Sequence, residues 1–262
     1  MKNTFKNWFA ALLLAAPMSM AAAAGGGANY EKVDIDLGDQ VSLQRGAQIF
    51  TNYCLSCHSA TGMRFNRLQD IGLTEDEIKK NLMFTTDKVG DVMQTAMTPT
   101  EGKKWFGAAP PDLTLIARSR GADYLYAYLR GFYQDPTRPT GWNNTVFDKV
   151  GMPHPLWEQQ GVKAVELDKD GQPVWEKDEH GNLVPKLYWE STGLHSRRLP
   201  NGKVIEKEYD DYVRDLVNYM VYMGEPAQMQ RKQIGYIVLI FLLAVMLPLA
   251  YFLKKEYWKD VH

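Results

Sequence analysis

Cys54-Leu55-Ser56-Cys57-His58 is the stretch whose residue types and spacing carry chemistry. These are the 2 cysteines of a 262-residue chain. Each thiol can add across one vinyl group of a haem. Two intervening residues let both reach, and the next histidine then swings beneath the iron. A zinc site needs four ligands, normally with a second Cys or His pair at matching spacing, and the sequence offers no further cysteine. A thioredoxin-like pair follows a strand and opens a helix of a βαβ unit, which the surrounding pattern does not suggest. A disulfide across two residues is strained. In a chain that carries an export leader, Cys-x-x-Cys-His reads as covalent c-type haem attachment with His58 as an axial ligand.

A second axial ligand must come from elsewhere. Methionine suits the iron of electron-transfer haems, where His/Met ligation raises the potential. Met63 is too close in sequence to His58 to reach the opposite face, and Met220 and Met223 fall in a helix where they serve packing. Met83, Met93 and Met97 stay possible. Met152 lies in Val150-Gly151-Met152-Pro153-His154-Pro155-Leu156, where two prolines stiffen the loop and extend the residues before them. His154 is the competing ligand on the same loop.

The elements that must hold these groups are legible around them. Gly46 and Phe50 precede Cys54 by eight and four residues in a helical stretch. Val213, Leu216, Val217 and Met220 recur at i, i+3, i+4 and i+7, predicting a helix over 209–222 that ends at Gly224 and Pro226. This pairing resembles the class I cytochrome c fold, in which an N-terminal-helix glycine lets a C-terminal helix cross closely. Tyr219 is the aromatic expected against Gly46. Between the Met152 loop and that helix, residues 158–207 alternate around Asp-Gly, His-Gly and Asn-Gly turns and predict two inserted β-hairpins. Asp168-Lys169-Asp170-Gly171 lacks the remaining EF-hand ligands and is a turn.

The two ends fix the compartment. Lys2 and Lys6, a short apolar run and Ala21–Ala24 describe a signal peptide over 1–24, too short to span a bilayer. Residues 234–253 are twenty without a charge, enough for one transmembrane helix of about 30 Å. Basic residues flank that run on both sides too evenly to orient it. The leader therefore sets the topology: 25–230 form a periplasmic haem domain and 254–262 a cytoplasmic tail. Of the 30 basic and 31 acidic residues, seven basic and two acidic lie in the leader or beside the span. The exported part is thus near −6, which argues against nucleic acid and suits a basic protein partner.

Pro110-Pro111-Asp112-Leu113-Thr114-Leu115-Ile116-Ala117-Arg118-Ser119-Arg120, Tyr124 to Gly131, Gly151-Met152-Pro153, Gly224-Glu225-Pro226 and the single C-terminal anchor occur in this order. Together they resemble the cytochrome c1 family, the haem c subunit of the bacterial ubiquinol–cytochrome c reductase (cytochrome bc1) complex, over most of the chain from Gly46 to Leu253. The resemblance implies a mainly α, class I cytochrome c-like haem domain with an inserted hairpin segment and one C-terminal transmembrane helix in the bacterial inner membrane. It implies one covalent haem c, Met152 as sixth ligand, and Arg120 near a haem propionate. It also implies that Tyr126 lines the pocket and that Pro110 and Pro111 wall the His58 side, giving a carbonyl to the ring N–H. The implied partners are cytochrome b, a Rieske iron–sulfur protein and cytochrome c in a dimeric complex. Within it the chain relays one electron without acid or base chemistry. A stand-alone membrane-tethered carrier is the rival reading, and a haem sensor a third, disfavoured by the stiff Met152 loop.

Overall fold

The computed structural model describes residues 29–260, so the leader read at 1–24 lies outside the described residues. Helices run α1 Gln40–Ile49, α2 Glu75–Asn81, α3 Pro99–Phe106, α4 Ile116–Arg120, α5 Ala122–Arg130, α6 Trp157–Gln160 and α7 Lys207–Gly224. A last helix, α8, spans Gln228–Tyr257. Strands are β1 Ala60–Arg64, β2 Val92–Met93, β3 Phe132–Gln134, β4 Trp142–Asn144, β5 Gly161–Val165, β6 Trp175–Lys177, β7 Leu183–Pro185, β8 Leu187–Thr192, β9 Arg197–Arg198 and β10 Val204–Ile205.

The core forms where α1 crosses α7. Val213, Leu216 and Val217 are fully buried on one stripe of α7, each worth about 1.5–3 kcal/mol of apolar burial. At the crossing, a Cβ built on Gly46 would lie 2.1 Å from the Asp215 carbonyl oxygen and 2.6 Å from Tyr219 Cβ. Only glycine permits this approach. Phe50 then meets the Tyr219 ring at 5.6 Å. Beside the crossing, the buried Asp215 carboxylate accepts from Arg45 Nε at 2.5 Å and from Ser42 Oγ at 2.7 Å, which pairs a charge that burial would otherwise penalise. Helix α1 runs on through a π-turn, Phe50–Cys54, and so delivers Cys54 to the domain centre.

Helices α2 and α3 start on capping boxes, Thr74 with Glu77 and Thr98 with Glu101, and Pro99 fits the first turn of α3. Residues 158–207 contain two tight hairpins, β6–β7 and β9–β10, and add to them a longer antiparallel ladder, β5–β8, while β5 also pairs in parallel with β3 at Gln134↔Ala164. The four-stranded order β4-β3-β5-β8 therefore joins this segment to the haem-domain core. Local turn chemistry signals a tight hairpin such as β6–β7, whereas β5 and β8 meet across two nested strands that no local pattern announces. Helix α8 contains the expected span. None of its apolar window is buried, and it passes through a π-turn, Leu242–Met246, just before Pro248, where the missing N–H and the ring disturb the regular ladder.

Candidate functional site

The Cys54–His58 segment closes as a turn at the end of α1: the N–H groups of Cys57 and His58 donate to the Cys54 carbonyl at 3.1 and 2.8 Å. Both thiols are free. Burial, with Cys57 adding to it, pushes the Cys54 thiol up to about 12. That shift disfavours the thiolate at Cys54, the form in which a cysteine attacks.

Opposite this turn stands the segment 110–114, held by four contacts. Leu113 N–H donates to the Ser59 carbonyl at 2.8 Å. Asp112 accepts from Thr61 N–H and its hydroxyl at 2.8 and 2.9 Å, and Gly62 N–H reaches Thr114 Oγ1 at 3.0 Å. That docking brings the Pro111 carbonyl to 2.7 Å from His58 Nδ1. The contact fixes Nδ1 as the protonated nitrogen and leaves the Nε2 lone pair free for a metal. Burial holds His58 below its ordinary value, which favours the neutral ring.

Cys54, Cys57 and His58 line an apolar cavity of about 380 Å³, and Met152 and Pro153 line the same cavity. The volume lies at the small-cofactor end of ligand sites. Pro110 and Pro111 line it, as does Arg120, whose exposed guanidinium lies 5.5 Å from the Tyr124 ring. Gly151 sets the loop: its Cβ would meet the Phe106 carbonyl oxygen at 2.7 Å, so the Met152 loop lies directly on the end of α3. The donor set fits a haem, with two thiols, a neutral imidazole and a thioether turned to one apolar cavity.

The other proposed ligands separate cleanly. Met63 and Met93 are fully buried in the core, and Tyr219 donates to Met93 Sδ at 3.5 Å. His154 is 3% exposed, stacks on Phe132 at 4.7 Å and shares Nε2 with Gln160 Oε1 at 2.9 Å. It is a core residue and does not line the cavity. Tyr126 corrects the expectation made for it: its ring lies 4.6 Å from the Arg130 guanidinium, away from the cavity. On α5 the cavity face is made by Tyr124, Leu125, Tyr128 and Leu129, and Tyr126, about 200° of helical rotation from Tyr124, points away from it. The i, i+4 spacing of Tyr124 and Tyr128 was the signal that could have found them. Leu216 and Met220 on α7 also line the cavity, so Met220 packs against the site as well as the core.

The chain matches the model of the cytochrome c1 family over residues 34–206 and 201–261. It is 45% identical to a cytochrome c1 of Allochromatium vinosum, over 97% of this chain and 98% of that one. It is 47% identical to a protein of Nitrosomonas europaea named ammonia monooxygenase gamma subunit, over 95% and 96%. A Rhodospirillum rubrum cytochrome c1 is 28% identical over 85% and 83%.

Proposed function

This chain belongs to the cytochrome c1 family, and we propose that it accepts one electron from a Rieske iron–sulfur protein and passes it to a cytochrome c. Members of the family carry covalently attached haem c, are anchored by a C-terminal helix, and serve the bc1 oxidoreductase as electron carriers. The proposed assembly is a dimeric complex with cytochrome b in the bacterial inner membrane, with residues 29–230 in the periplasm.

The observation that carries the residue assignment is the convergence of Cys54, Cys57, His58 and Met152 on one apolar cavity. Bound there, haem c supplies a one-electron iron couple. Cys54 and Cys57 provide the two covalent attachments. His58 offers Nε2, oriented by the Pro111 carbonyl. Met152 offers a sulfur on a loop stiffened by Pro153 and Pro155, so the ligand changes position little between oxidation states. Leu113, Leu125 and Leu216 give the cavity an apolar lining, which limits solvent reorganisation. Arg120 presents a cation at the wall, placed to pair with carboxylates.

Two variants test this. Cys57→Ala should abolish or severely reduce the haem-stained band that survives acid–acetone extraction. Met152→Leu keeps volume and apolarity but removes the sulfur. Haem should stay attached, the red methionine–iron charge-transfer band should vanish, and the potential should fall by on the order of 0.1 V, inside the range axial ligands command. Retention of the band in Met152→Leu and its loss in Met97→Leu would transfer the assignment to Met97. The Nitrosomonas europaea relative favours a second assembly, with a monooxygenase. Affinity capture of the tagged chain with a di-haem b-type protein supports the first reading; capture with a monooxygenase subunit supports the second.

A further inference from the structure

Tyr128 bears on the chemistry of Met152 in a way that packing does not require. Its hydroxyl donates to Met152 Sδ at 3.6 Å, 24 residues away. The ring cannot easily turn elsewhere, because it stacks on Tyr124 at 6.0 Å and 16° and meets Phe132 edge-on at 5.3 Å and 77°. Its own carbonyl is held by Asn144 Nδ2 at 2.8 Å. A phenol hydroxyl ionises only at about pH 10, so its O–H is available as a donor.

A thioether sulfur has two lone pairs, so accepting one hydrogen bond leaves the other free for a metal. We propose that Tyr128 is a tuning residue: its O–H donates to the Met152 sulfur while that sulfur ligates the iron, and so raises the reduction potential. The inference rests on Met152 being the ligand. Its physical basis is the orientation of the hydroxyl dipole, whose positive end faces the sulfur. The oxidised centre carries one more positive charge than the reduced one, so a positive dipole end beside its ligand penalises the oxidised state. In an apolar cavity that penalty is only weakly screened. The same bond also selects one position for a side chain with three rotatable bonds, which favours a fixed ligand geometry.

The experiment is Tyr128→Phe in the full-length, haem-loaded chain, which removes one hydroxyl and keeps the ring. Haem staining and the red methionine–iron band should persist. At a fixed ambient potential the reduced-to-oxidised ratio should fall three- to tenfold, about 30–60 mV at 59 mV per tenfold for one electron. Tyr209→Phe is the comparison: it also deletes a buried tyrosine hydroxyl, one that donates to the Leu129 carbonyl at 2.9 Å, in a residue that does not line the cavity. It should lower the melting temperature and leave the ratio within twofold of the parent. An unchanged ratio in Tyr128→Phe overturns the inference. Loss of the band in Tyr128→Phe also overturns it, since the hydroxyl would then hold the sulfur in place and not tune it. Persistence of the band in Met152→Leu is a different failure, that of the ligand assignment itself.

Discussion

Replacing Gly46 by alanine tests the crossing on which the whole site depends. The added Cβ would sit 2.1 Å from the Asp215 carbonyl oxygen, 2.6 Å from Tyr219 Cβ and 2.9 Å from the Asp215 carbonyl carbon, whereas ordinary contact begins near 3.4 Å. The obstructing atoms are the backbone and first side-chain carbon of α7, so no flexible side-chain end can swing aside. The two helices must part by more than 1 Å. A gap of 0.5–1 Å already forfeits about a quarter to a half of each dispersion contact it opens, and Val213, Leu216 and Val217 are all at 0% exposure on that face. Forced overpacking costs about 1–3 kcal/mol, and the lack of yielding atoms puts this site at the upper end. Alanine recovers about 1 kcal/mol of helix propensity. The net loss is about 2 kcal/mol, which lowers the melting temperature by about 4–8 °C for a domain of this size. Thermal unfolding of the haem-loaded chain followed by near-ultraviolet circular dichroism measures it. Gly235→Ala is the comparison, because nothing lies within 4 Å of its added Cβ. A Gly46→Ala protein that melts at or above the parent temperature would refute the reasoning, since an uncrowded helical glycine behaves that way.

Gly151→Ala should displace the Met152 loop, because its Cβ would meet the Phe106 carbonyl oxygen at 2.7 Å. On heating, the red methionine–iron band should disappear well before global unfolding. A band that persists to the parent's temperature would show that the loop tolerates the shift. For topology, protease added outside spheroplasts should digest the haem domain while a tag after His262 stays protected until the membrane is opened. The reverse pattern overturns the periplasmic placement and the partners with it.

Features that depend on local covalent chemistry and on period were legible in the residues alone. Cys-x-x-Cys-His names its cofactor because two vinyl additions and one ligand impose a spacing. An i, i+3, i+4, i+7 stripe names α7, because one face must be buried. An uncharged twenty-residue run names the span, because every backbone group in it must be satisfied within the segment. The Gly46–Tyr219 contact was expected through the resemblance to the class I cytochrome c fold, in which an N-terminal-helix glycine lets the C-terminal helix cross closely. The starts of α2 and α3 are written locally as well, in the Thr-x-x-Glu pattern of Thr74–Glu77 and Thr98–Glu101.

Tertiary structure alone decided what depends on direction in space. Tyr126 and Tyr124 are both aromatic and two residues apart, yet about 200° of helical rotation sends one to Arg130 and the other to the cavity. Met152 and His154 share one stiff loop and both can bind iron. The loop's path turns the sulfur into the cavity and buries the imidazole between Phe132 and Gln160. The β5–β8 ladder escaped for a related reason: β6 and β7 lie between its strands in sequence, so no local turn pattern marks the pairing. A pattern of residue types records which groups must be buried or paired; which partner each one finds is settled when distant elements pack and a single rotation per helix is chosen for all of them at once.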